Sequence, residues 1–134
     1  MASSLKQQPV HLGADGTSQA ETTFSPTMEW FADYAQRRQG DPAGRLFSTH
    51  TMSASWGHWE MHPVGDEIVL VLSGEIELLL EHPDDDVASE VVTAGNYVIV
   101  PAGVWHTANI EQPSEVAFVT TGMGTAHRPR DGGG

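Results

Sequence analysis

Residues 95–109, GNYVIVPAGVWHTAN, read as two strands folded around a corner. Gly95 marks a turn, Tyr97 to Val100 form an apolar run of strand length, Pro101, Ala102 and Gly103 interrupt it, and a second run from Val104 carries His106. A histidine delivered by a strand just past such a corner raises the question of its partners.

Upstream, residues 58–67 read HWEMHPVGDE and place two imidazoles and three carboxylates within ten positions. His58, Glu60 and His62 alternate with the large apolar Trp59 and Met61, a period of two. Side chains on a strand alternate between faces, so the three ionisable groups share one. Locally that face could be solvent, a salt-bridged surface or a metal site. Asp66 and Glu67 have opposite parity, so Asp66 is expected to point outward as a turn residue.

The runs RLFSTHTM, SWGHWEMH, EIVLVLS, EIELLLEH, SEVVT, NYVIV, VWHTANI and EVAFVTT, separated by Gly and Pro turns, predict about eight strands. EIELLLE alternates acidic residues with Ile76, Leu78 and Leu80, whereas EIVLVLS is apolar on both faces, as suits a strand between two layers. The fold class expected is all-β, a closed or double-sheet barrel of the jelly-roll kind, with one N-terminal helix. That helix is predicted over about 26–38, with Ser25 as N-cap, Pro26 at the first helical position, Met28, Phe31 and Tyr34 or Ala35 on its apolar stripe, and Gly40 as its stop. Residues 1–22, polar and rich in Ser, Thr, Gln and Gly, are expected to form a flexible arm. Residues 127–134 are expected to form a flexible tail, leaving one domain over 23–126 with its barrel at about 45–122.

The 134 residues carry 18 acidic and 6 basic side chains, a formal net charge of -12 that disfavours nucleic acid and anionic membranes as partners. No cysteine is present, so a metal would have to use histidine and carboxylate. No secretory or membrane-spanning apolar run is seen, which predicts a cytoplasmic protein. The amphipathic helix and the strand edges that need covering predict a homodimer.

At this point a family becomes visible, because the sequence resembles the cupins. Gly95, Pro101, Gly103 and His106 fit the second cupin motif without a gap, and His62, Glu67 and Gly74 fit the first. Glu60 stands where the family usually has its first histidine. The resemblance implies a double-stranded β-helix, the cupin jelly roll, with one divalent metal ion inside the barrel, held here by Glu60, His62, Glu67 and His106. Geometry is compatible with this, since strand residues two apart lie about 6.6 Å apart on one face while His58 and His62, about 13 Å apart, cannot easily share an ion. Fe, Mn, Zn or Ni would suit two imidazoles and two carboxylates. Glu67 is expected to face Glu60 and His62 across a hairpin.

The resemblance implies a metal-dependent enzyme acting on a small organic molecule inside the barrel, of dioxygenase, isomerase or cyclase type, with a non-catalytic binding or sensing module as the alternative. Glu60, as ligand or general base, and His58, on the pocket rim, are the candidate catalytic residues. Roles for His50 and His127 stay open; His82, beside PDDD, is expected to be solvated. Trp56, Trp59 and Trp105 are expected to be core or covering residues.

Overall fold

The computed structural model describes residues 1–84 and 86–130. Its elements are β1 (Val10–Leu12), β2 (Ser18–Ala20), α1 (Met28–Arg37), β3 (Arg45–Met52), β4 (His58–Met61), β5 (Glu67–Ser73), β6 (Glu75–Glu81), β7 (Val87–Thr93), β8 (Tyr97–Val100), β9 (Trp105–Asn109), β10 (Ser114–Thr120) and β11 (Ala126–Pro129). They form two antiparallel sheets, one in the order β2-β1-β3-β10-β5-β8 and the other in the order β11-β4-β9-β6-β7. This is the expected all-β double sheet with one helix.

The core lies between the sheets and follows from strand parity. Val69 and Val71 of β5, Ile76, Leu78 and Leu80 of β6, Ala108 of β9, and Val116 and Phe118 of β10 all point inward and are buried. EIVLVLS is not buried on both faces, however: Leu72 is exposed on the outer one. The turn after β5 needs glycine, because Gly74 has φ +82 and a Cβ there would lie 2.3 Å from Ser114 Oγ. Gly103, also at φ +82, closes the corner before β9, where its amide donates to the His62 carbonyl and Asp66 accepts from the Ala102 amide.

Four expectations are corrected. The region 1–22 carries β1 and β2, and β1 adds to the sheet through β3. Its attachment is polar, which is why its composition resembles a free arm: Glu21 is buried between Arg37 and Arg38, and His11 bridges Tyr34 and Asp41. The tail begins as a strand, since β11 pairs with β4, while residues 131–134 lie outside the described residues.

The helix starts two residues later than predicted, because Thr27 and not Ser25 accepts the Trp30 amide as N-cap. Its buried face is Trp30 and Tyr34, packed on Leu46, while Met28 and Phe31 are exposed. Finally, β4 and β5 are not a hairpin. They belong to different sheets, so Glu67 meets the β4 residues across the barrel interior.

Candidate metal centre

Three elements and one turn deliver the inner cluster. Glu60 on β4 stands directly opposite His106 on β9, and His62 follows β4 at the same parity as Glu60. Glu67 opens β5 on the facing sheet. His62, Glu67 and His106 are buried, and the side chain of Glu60 is 22% exposed. His62 Nε2 lies 2.9 Å from Glu60 Oε1 and 3.2 Å from Glu67 Oε2, and His106 Nε2 lies 3.0 Å from Glu67 Oε1. One ligand atom from each of the four lies within 4.8 Å of all the others.

Each buried member is held from behind. Thr125 donates its hydroxyl proton to the Gly122 carbonyl, so towards His62 its oxygen accepts, and His62 Nδ1–H is the donor at 2.8 Å. His106 Nδ1–H donates to the Val104 carbonyl, and the Thr120 hydroxyl donates to Glu67 Oε2 at 2.6 Å. Those partners assign the tautomers: in a neutral ring with Nδ1 protonated, Nε2 carries a lone pair. Both lone pairs therefore aim at carboxylate oxygens. Accordingly His62 Nε2, Glu67 Oε1 and His106 Nε2 are buried without a hydrogen-bond partner among the described residues.

Acceptors facing acceptors in a buried site are unfavourable unless a cation lies between them. Protons supply one solution. Burial raises the Glu67 carboxyl, but the His106 and His62 rings outweigh it and hold the group down to about 2. Burial likewise lowers His62, yet Glu60 and Glu67 outweigh it and push the ring up to about 9. A divalent ion is the other solution, and the donor set fits one: neighbouring ligands at about 2.1 Å from an octahedral ion stand about 3.0 Å apart.

A cupin domain family model matches residues 50–127, more than half of the sequence. The chain belongs to the cupin family. Among solved structures this cupin is similar to an oxalate oxidase in complex with the substrate analogue glycolate, at 20% identity and TM-score 0.54, over 64% of this chain and 47% of that one. Peruvianin-I, a cysteine peptidase from Thevetia peruviana latex, matches at 19% identity and TM-score 0.51, over 64% of this chain and 55% of that one. A variant oxalate decarboxylase from B. subtilis matches at 14% identity and TM-score 0.50, over 56% of this chain and 20% of that one. The cupin thus spans about half the length of the oxalate oxidase, and likeness at these identities carries the fold alone. Among curated proteins no sequence matches.

All four residues nominated as ligands come together in this cupin. His58 stays outside that group, on the rim, where its ring stacks on Trp56 at 6.3 Å. Trp56 also packs edge-on to His106 at 6.2 Å, so it walls the site. His50 sits apart, between Phe24 and Phe118, and His82 is exposed as expected. Trp59 and Trp105 flank the Arg128 guanidinium, which pairs with Glu81. Thr120 and Thr125 went unnoticed in the sequence; parity with Phe118 marks Thr120 as inward, but nothing local marks Thr125.

Proposed function

We propose that this cupin is a metal-dependent enzyme acting on a small organic molecule, with one divalent Fe, Mn, Zn or Ni ion held by Glu60, His62, Glu67 and His106. The observation that carries the reading is the set of three buried donor atoms, His62 Nε2, Glu67 Oε1 and His106 Nε2, that converge without hydrogen-bond partners. When bound, such an ion supplies Lewis acidity and neutralises the carboxylates.

The protein's own groups set the direction of approach. Glu60 is the one partly exposed member, so a small molecule arrives on its side, past Trp56 and His58. Val69, Leu78 and Val116 are fully buried in the core between the sheets. In the alternative arrangement, with the ion held by His62, Glu67 and His106 alone, Glu60 would serve as the general base for that molecule and His58 would pass the proton to solvent. Dioxygenase, isomerase and cyclase chemistry each fit this arrangement.

The second reading is a non-catalytic binding or sensing module that uses the same metal site, and two clefts lie apart from that site. These, of about 420 and about 250 Å³, are lined by Trp59, Glu81, Arg128, Pro129 and Arg130, and by Glu75, Glu77, Asn109, Glu111 and Gln112, with none of the four cluster residues. Metal analysis of protein purified without added metal tests the shared site. Turnover of small organic acids and phenols by metal-loaded protein then separates enzyme from binder.

The proposal includes a homodimer in the cytoplasm. It is supported by the outer face at the edge of the larger sheet, where Leu72, Tyr97 and Ile99 are exposed. Among the described residues β8 is the edge strand, paired with β5, and a second copy would cover both patch and edge about a two-fold axis. No helix among the described residues is long and apolar enough to cross a membrane.

A further inference from the structure

Glu60 divides its two oxygens between different neighbours. Oε1 faces the buried His62, whereas Oε2 faces outward, 3.8 Å from His58 Nε2 and 3.7 Å from His127 Nε2. These distances are too long for hydrogen bonds, yet ligand atoms of His58, Glu60 and His127 all lie within 4.8 Å of one another. The rings of His58 and His127 stand 5.0 Å apart at 71°.

His127 comes from a strand remote in sequence, and its placement is built. β11 runs antiparallel to β4 with His127 opposite Glu60. On the outer face Arg128 lies over Trp59 and Trp105 and pairs with Glu81. Arg130 then reaches the Trp56 carbonyl at 3.1 Å and Asn109 Oδ1 at 2.9 Å. With its neighbours fastened outward, the alternation of the strand turns His127 inward over the mouth.

We propose that His58, Glu60 and His127 form a second, solvent-facing metal site, bridged to the inner cluster by the Glu60 carboxylate. Ligand atoms about 2.1 Å from one ion stand about 3.0 to 4.2 Å apart, between right-angle and trans arrangements, and the Glu60 separations fall in that interval. Two imidazoles and a carboxylate oxygen select a borderline cation such as Zn²⁺, Ni²⁺ or Cu²⁺ over Mg²⁺ or Ca²⁺. His58 and His127 are 46% and 45% exposed in their side chains, so the remaining positions face water. The bridging role rests on the inner-cluster reading; the outer site does not.

The experiment is a calorimetric titration of the chelator-stripped, dialysed full chain with Zn²⁺ alone. Wild type is expected to take two ions, and His58→Ala and His127→Ala one each, with unchanged far-ultraviolet circular dichroism. His127→Asp, which replaces one ligand by another, is expected to restore the second ion. One ion in wild type, unaffected by either alanine variant, overturns the outer site and leaves the inner one standing. One ion that His127→Ala loses and His106→Ala keeps supports the outer site while sinking the inner one. No Zn²⁺ binding at all overturns both.

Discussion

The Thr125 oxygen accepts from His62 Nδ1–H at 2.8 Å while its own proton goes to the Gly122 carbonyl. A residue in the turn before the last strand thereby decides which nitrogen of a buried histidine faces the cluster. Partners of this kind are typically worth about 10 to 100-fold in metal affinity. Thr125→Val keeps the shape and removes the acceptor, so it is expected to weaken binding by that order, whereas Thr125→Ser keeps it. Competitive titration with a chromophoric chelator measures both; equal affinity in Thr125→Val and wild type refutes the positioning role.

Removing metal is expected to lower the melting temperature. Without an ion the carboxylates of Glu60 and Glu67 both lie against His62, with His106 beside Glu67 as the only other ring of the cluster, so two like charges are left close together. A ligand that binds only the folded state at 100 times its Kd adds about 2.7 kcal/mol. Scanning calorimetry before and after chelation, with metal loss verified, reads the difference. An unchanged melting temperature would mark the cluster as a self-sufficient polar core.

His50 predicts a pH effect remote from the metal cluster. Burial lowers its pKa from the ordinary 6.5, outweighing Glu115, which raises it, while Lys6 adds to the lowering. The unfolded chain therefore binds more protons just below pH 6.5, and stability contributed by neutral His50 is lost as pH falls through that value towards the folded pKa. His50→Phe keeps a ring against Phe24 and Phe118 and removes the titration. Denaturant unfolding at pH 7.5 and 5.5 is expected to show a smaller loss for the variant; an equal loss would clear His50.

The parts of this molecule that were legible in its sequence are those where periodicity is strong. EIELLLE gives its buried face directly, and the corner glycines mark φ values that other residues adopt at a cost. Glu60, His62, Glu67 and His106 could be nominated because their spacing is a family pattern. The three-residue β1 and β2 and the four-residue β11 are too short and polar to show a period. What holds them is long-range: Arg37 and Arg38 on Glu21, and Arg128 between two tryptophans. A local reading of composition therefore took both ends for loose chain; it left the role of His127 open within the tail, and Thr125, inside the expected domain, carries no local signal.

The exposed Leu72, Tyr97 and Ile99 predict that the association is apolar and confined to one face. Leu72→Asp with Tyr97→Asp adds two charges per copy to a chain already at -12 and is expected to give a monomer by light scattering at micromolar concentration. A wild-type monomer, or a dimer untouched by both changes, removes this face as the interface.

Glu60 decides how the centre works, because it breaks the family pattern and is shared by both candidate sites. As a ligand it brings negative charge to the ion. Glu60→Gln is then expected to lose the inner ion, and Glu60→His, which restores the usual imidazole, to keep it. As a general base beside a three-ligand site of His62, Glu67 and His106, Glu60→Gln would instead keep its ion and lose turnover. The geometry favours the ligand role, since Oε1 stands 2.9 Å from His62 Nε2, in the range of neighbouring ligands on one ion, and residue 60 lies opposite His106 in the register. Plasma emission on protein purified without added metal reads the outcome. A stoichiometric ion retained in Glu60→Gln after His58 and His127 are also replaced by alanine, which removes the outer site, would turn Glu60 from ligand into the leading candidate for proton transfer.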